Sequence, residues 1–105
     1  MRRIYAYIWE FYVKPGCESN FEHMYGEDGN WVKLFKQEKG YLHTELFHDA
    51  SNSLRYLTID YWESKSAFET FKNLHKNEFE TLDIQCEKLT ERETFISAFH
   101  QLTKQ

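Results

Sequence analysis

Tyr56-Leu57-Thr58-Ile59-Asp60-Tyr61-Trp62-Glu63-Ser64 is the stretch whose reading decides the fold. It alternates with period two, so Leu57, Ile59 and Tyr61 share one sheet face while Tyr56, Thr58, Asp60 and Trp62 share the other. Ser64 stands where an N-cap belongs, ahead of Ala67, Phe68 and Phe71 at helical spacing. A strand that sets a carboxylate between aromatic residues on one face is an unusual thing to bury. It points to a pocket.

Upstream, residues 3–13 are rich in aromatic and β-branched types and read as a strand. Tyr5, Tyr7, Trp9, Phe11 and Val13 share one face, and Ile4, Ala6 and Ile8 the other; a strand apolar on both sides is covered on both sides. Lys14-Pro15-Gly16 ends it. Phe21, Met24 and Tyr25 follow at helical spacing, Gly26-Glu27-Asp28-Gly29-Asn30 breaks that helix, and Trp31, Leu34 and Phe35 restart it before Gly40. Residues 41–48 form a second strand, and Asp49-Ala50-Ser51-Asn52-Ser53 turns the chain into the third. After the helix begun at Ser64, which runs to about Asn73, Phe79, Leu82 and Cys86 mark a further helical segment to about Leu89. A last strand from Glu93 to about Phe99 is expected to put Phe95 and Phe99 on one side. The order is β-α-β-β-α-β, an α+β ferredoxin-like arrangement of a four-stranded antiparallel sheet with its helices on one face. The other face would then expose apolar residues as one patch, and a second copy of the chain is expected to cover it.

One hundred and five residues make one domain over 1–105, small enough that a partner subunit would add stability. Aromatic residues make up 18% of the chain, which supplies either a core filled economically by large rings or a flat cavity for a planar ligand. A net charge of −4 without a basic cluster argues against a nucleic-acid surface. No apolar run approaches the ~20 residues of a membrane span. The N-terminus enters a strand pattern and not a signal-peptide core, so a cytoplasmic location is expected. Cys17 and Cys86 are too few and too distant for a zinc site or a disulfide framework, and reduced thiols are expected. No phosphate loop, CxxC, HExxH or serine elbow is present, so neither metal nor cofactor is expected.

Several segments resemble the antibiotic biosynthesis monooxygenase (ABM) domain family of the dimeric α/β-barrel superfamily. They are Trp9 to Gly16, Tyr25-Gly26-Glu27-Asp28-Gly29-Asn30-Trp31, Gly40 to Leu46, and Tyr56 to Ser64 with Ala67 and Phe68. The resemblance implies a homodimer and one of several activities, because the family holds quinone-forming monooxygenases, haem-degrading enzymes and members of other roles. Haem degraders of this family use an Asn in the first strand, a Trp after the third strand and a His ligand beyond. The corresponding positions here are Trp9, Phe71 and Thr81, with His75 more than a helical turn away, so haem binding or degradation is disfavoured. The branch that remains resembles cofactor-independent monooxygenases acting on small phenolic or polycyclic aromatic substrates. The competing reading is a non-catalytic small-molecule binding dimer of the same fold.

Such an oxygenation needs a base, donors for a developing oxyanion and a flat apolar slot. Asp60 is the candidate base, since burial between Tyr56 and Trp62 would raise its pKa toward neutrality; otherwise it serves the fold by accepting hydrogen bonds. His43 and His48, five apart on one strand, point to opposite faces. His43, grouped with Tyr41, Glu45 and Phe47, is the expected pocket member and second candidate catalytic residue. Tyr7, Trp9, Tyr56 and Trp62 are expected to line the slot. Tyr25 and Trp31 form either a lid, with Gly26 and Gly29 free to take positive φ, or an ordinary turn anchored in the core. Glu10 and Glu45, charges on apolar strands, are expected to find cationic partners. His23, His75 and His100 are expected at the surface.

Overall fold

The computed structural model describes residues 3–102. The elements run β1 (Ile4–Val13), α1 (Glu18–Tyr25), α2 (Asn30–Phe35), β2 (Tyr41–His48), β3 (Arg55–Trp62), α3 (Lys65–Leu74), α4 (Lys76–Glu87) and β4 (Thr90–Gln101). The four strands form one antiparallel sheet in the order β2-β3-β1-β4, the ferredoxin-like topology, with the helices against one face. Among these residues no helix is long and apolar enough to cross a membrane.

The helix-facing side carries the core. Along β3 it buries Tyr56, Thr58 and Trp62; along β1 it buries Tyr5, Phe11 and Val13. The helices cover these with Phe21 and Tyr25, with Trp31, Leu34 and Phe35, and with Phe68 and Phe71. Ser64 caps α3 as its position implies: its Oγ accepts the Ala67 backbone N–H at 3.1 Å. Trp62 sits among Phe35, Tyr41, Phe68 and Phe71, with ring centroids 5.1–5.5 Å away and three of the four contacts edge-on.

Two irregularities in the strands change what faces where. In β2 the ladder slips between Tyr41 and His43, so Leu42 is an extra residue. Tyr41 and Thr44 therefore face the helices opposite Trp62 and Asp60, while His43 turns to the open face, exposed and stacked on Tyr61 at 4.4 Å. The strict alternation that grouped His43 with Tyr41 does not survive the extra residue. In β4 a similar slip falls between the partners of Ile8 and Trp9. Phe95 thus lies 4.7 Å from Tyr7 on the helix side, whereas Phe99 pairs with Ala6 on the open side; the two do not share a face.

The turn between α1 and α2 uses its glycines for space and not for positive φ. Gly26 and Gly29 have φ of −75° and −85°, and among the described residues only Gly16, after Pro15, has positive φ. A Cβ on Gly29 would stand 2.4 Å from the Met24 carbonyl oxygen, so the chain closes tightly there and seats Trp31 in the core. Trp31 is an anchor and not part of a loose flap.

On the open face the charges are paired. Arg55 bridges Glu10 at 2.7 Å and Asp49 at 3.0 Å, and the Tyr61 hydroxyl donates to Glu45 at 2.9 Å. Glu10 thus finds the cation expected of it, across the sheet; Glu45 finds a phenol instead. His48, on the helix-facing side opposite Tyr56, is exposed, stacked on that ring and hydrogen-bonded through Nε2 to the Ser53 carbonyl. His75, at the α3–α4 joint, lies between Glu78 at 2.9 Å and Glu38 at 3.4 Å, and these hydrogen bonds raise its pKa.

Candidate active site

Between sheet and helices lies a cavity of about 260 Å³. Its floor is the helix-facing side of the sheet: Tyr7, Trp9 and Phe11 from β1, Thr58 and Asp60 from β3, Thr44 from β2 and Glu93 from β4. Its roof and sides are Tyr25 from α1, Trp31 and Phe35 from α2, Phe68 and Lys72 from α3, and Phe79 and Asp83 from α4. Eight of these residues are aromatic. The lining therefore offers mostly ring faces and edges, with a few polar groups at fixed places, as ligand pockets commonly do.

Asp60 sits in the middle of the floor, opposite Tyr7 on β1 and Thr44 on β2. Its Oδ1 accepts a hydrogen bond from the Thr44 hydroxyl at 2.7 Å, and the Thr44 oxygen lies 2.7 Å from the Tyr41 hydroxyl. Burial disfavours the carboxylate and pushes the pKa of Asp60 up to about 7, while the Thr44 hydrogen bond pulls the other way. At neutral pH the side chain is thus poised between acid and base forms. The phenols beside it stay neutral: burial, followed by Tyr5 and then by the Asp60 charge, raises the pKa of Tyr7, and burial pushes Tyr41 up to about 12.

A second polar group lies at the β4 end. Burial, then the neighbouring Asp83 and Glu87, raise the pKa of Glu93. Lys72 reaches over the rings of Phe79 at 4.5 Å and Phe68 at 5.8 Å, the only cation in the lining among the described residues. Tyr25 and Trp31 stand 6.0 Å apart, and Trp31 meets Phe79 edge-on at 5.1 Å, so these rings form the inner wall.

Of the residues the sequence singles out, Asp60, Tyr7, Trp9, Tyr25 and Trp31 meet around this cavity. His43 does not, for the reason given by the β2 bulge. Tyr56 and Trp62 share the sheet face of Asp60 but lie outside the lining, 1% and 0% exposed. Tyr56 donates its hydroxyl to Glu22 and packs on Phe21; Trp62 is enclosed by the four rings already described. The sequence reading missed Thr44, Lys72, Asp83 and Glu93. Lys72 follows Phe68, and Asp83 follows Phe79, by four positions each, so the helical period that marks those aromatics also places the charges beside them. Thr44 carries no such signal, because the bulge hides its face.

This geometry can be set beside known proteins. The antibiotic biosynthesis monooxygenase family matches residues 4–76, well over half of the chain. The chain belongs to the antibiotic biosynthesis monooxygenase family. Among solved structures, the cofactor-independent oxygenase SnoaB from Streptomyces nogalater superposes with a TM-score of 0.73 at 16% identity, covering 98% of this chain and 95% of that one. A Pseudomonas aeruginosa protein gives 0.68 at 19% identity over 98% and 97%, and one from Methanosarcina mazei gives 0.72 at 13% over 95% and 94%. At these identities the likeness is one of fold. No curated protein matches the chain.

Proposed function

We propose that this ABM-family chain is a cofactor-independent monooxygenase that oxidises a small phenolic or polycyclic aromatic substrate held in the cavity. One observation carries the reading: a carboxyl group poised near neutrality, Asp60, stands in the floor of an enclosure walled by aromatic rings. In the first step Asp60 takes the proton of an acidic hydroxyl or ring CH₂ and the ligand keeps the electron pair. The ligand anion then reduces dioxygen. One oxygen atom enters the ring as a quinone carbonyl, and the other leaves as water with the two hydrogens the ligand loses, one of them the proton that Asp60 took and returns. Tyr7 is the donor placed to stabilise the anion, and Lys72 supplies the positive charge in the lining. The description of SnoaB as a cofactor-independent oxygenase supports the same chemistry for this fold.

The test is oxygen uptake by the purified, metal-free protein with a dihydroxyanthrone substrate, against heat-inactivated protein and the substrate's own autoxidation. The expected result is uptake well above both controls, with one quinone formed per oxygen consumed. Tight binding of such aromatics without uptake would replace this reading with a non-catalytic binding protein.

The same proposal includes a homodimer. Phe47 and Phe99 stand about half-exposed on the open sheet face, at 47% and 51%, beside Ile8, Leu57 and Ile59. An apolar sheet face of this kind is covered when a second copy packs against it. Sedimentation equilibrium should give the mass of two chains, and Phe47→Glu should give that of one. A monomeric parent protein would remove the dimer from the reading.

A further inference from the structure

The hydroxyls of Tyr41 and Thr44 form a directional chain that ends on one oxygen of Asp60. Thr44 has a single proton to give, and it gives it to Oδ1 of Asp60 at 2.7 Å. The 2.7 Å contact between Thr44 and Tyr41 must then be a bond donated by the tyrosine. Tyr41 is held in place in turn, buried against Trp62 and Phe35. The second oxygen of Asp60, Oδ2, accepts no hydrogen bond from the described residues.

We propose that Thr44, set by Tyr41, is the positioning residue of this site: it occupies Oδ1, fixes the rotation of the carboxyl group, and leaves Oδ2 as the oxygen that exchanges a proton with the ligand. The inference rests on the reading of Asp60 as the proton acceptor. It gives the extra residue at Leu42 a purpose, since that slip is what puts Tyr41 on the same face as Thr44, within reach of its hydroxyl. The step is a simple proton transfer. Oδ2 gains the ligand's proton, the ligand gains the negative charge, and the Tyr41–Thr44–Oδ1 chain keeps its sense throughout. The titratable groups around Asp60 are Tyr7 across β1, Tyr41 on β2, and Lys72, Asp83, Glu93 and Tyr25 on the other walls of the cavity. None of these donates to the carboxyl group; Thr44 does.

Thr44→Val keeps the shape of the side chain and removes the hydroxyl, Thr44→Ser restores the hydroxyl, and Tyr41→Phe removes the donor behind it. The Asp60 carboxyl carbon is followed by NMR through a pH titration of each variant, together with kcat and KM against pH in the dihydroxyanthrone assay. With Thr44→Val the titration midpoint should rise by about one pH unit, because a hydrogen bond to the charged form is lost. The rising limb of kcat should move with it, kcat should fall roughly tenfold with KM little changed, as misplacement of a proton acceptor produces, and Ser should restore both. Tyr41→Phe should show the same changes at smaller size. An Asp60 midpoint that stays put in Thr44→Val overturns the positioning role. A midpoint that moves while the kcat profile does not leaves Thr44 as the holder of Asp60 and removes Asp60 from catalysis, overturning the proposed function instead. The NMR titration decides the positioning role even where no turnover is found.

Discussion

Replacing Asp60 with Asn should make the protein more stable above neutral pH and abolish the proposed oxygenation. The sign follows from where the carboxyl group is buried. In the unfolded chain Asp60 titrates near the usual carboxylate value of about 3.9; in the folded chain burial pushes it up to about 7. The folded state therefore holds the proton over a range in which the unfolded state has lost it. Stability from this residue is greatest below about pH 4, declines as pH rises through the window between the two values, and is fully lost above the folded value. At about 1.4 kcal/mol per pH unit of separation, the penalty above pH 8 is on the order of 4 kcal/mol at most. Asn removes it, because its amide oxygen still accepts the Thr44 hydroxyl while no charge forms. Melting temperatures of the two proteins from pH 4 to pH 9 check this directly. The curves should meet at the acid end and separate toward the alkaline end, with the Asn variant higher. An Asn variant that melts lower at every pH would mean that Asp60 serves the fold as a fully bonded carboxylate, and the base would have to be sought elsewhere. The activity arm is independent: without a group to take the proton, oxygen uptake should fall to the autoxidation rate while binding of the aromatic substrate persists.

Trp62→Ala should be the most destabilising single change in the helix-facing core. The indole is 0% exposed and touches four aromatic rings from three elements, so its removal opens a cavity that none of those rings can fill without leaving its own contacts. Large-to-small replacements of this kind cost about 3–5 kcal/mol. In a domain of this size the melting temperature should fall by roughly 15 °C or more. Trp62→Phe offers an internal control. The indole Nε1 is buried and has no hydrogen-bond partner among the described residues, a standing cost that phenylalanine does not carry. Most of the loss should therefore be recovered by Phe, although it is the smaller ring. If Ala melts within a few degrees of the parent, the enclosure of Trp62 is looser than its neighbours imply. Because Trp62 stands outside the cavity lining, the Phe variant should keep the affinity of the parent for aromatic ligands.

The third strand was the most legible part of the chain because it is regular: period two assigns Asp60 to its face without error, and Ser64 starts the next helix where its hydroxyl can cap it. The same regularity misled where the backbone departs from it. Nothing in Tyr41-Leu42-His43-Thr44 announces that Leu42 is left unpaired, and one extra residue inverts the facing of the residues beyond it. Phe95 and Phe99 part company in β4 for the same reason. Tyr56 and Trp62 show a different limit. Alternation states which side of a sheet a residue takes, not what lies above it, and two positions along a strand carry a side chain about 7 Å. Trp62, two positions from Asp60, already lies under α3, and Tyr56, four positions the other way, lies under α1, while Asp60 faces the cavity. The walls given by the helices were readable only in part, because the apolar stripe reveals Phe79 but not the charges that share its side.

The unpaired Leu42 also has a meaning beyond the packing of one edge strand. Carried unbroken from the turn at residues 49–53, the ladder would set Leu42 and not Tyr41 opposite Trp62, and Thr44 would have no phenol behind its hydroxyl. With the slip, two hydroxyls stand in line on one face, and the direction of the first fixes that of the second. The orientation of the hydrogen bond that reaches Asp60 is thus written in strand alignment as much as in residue type.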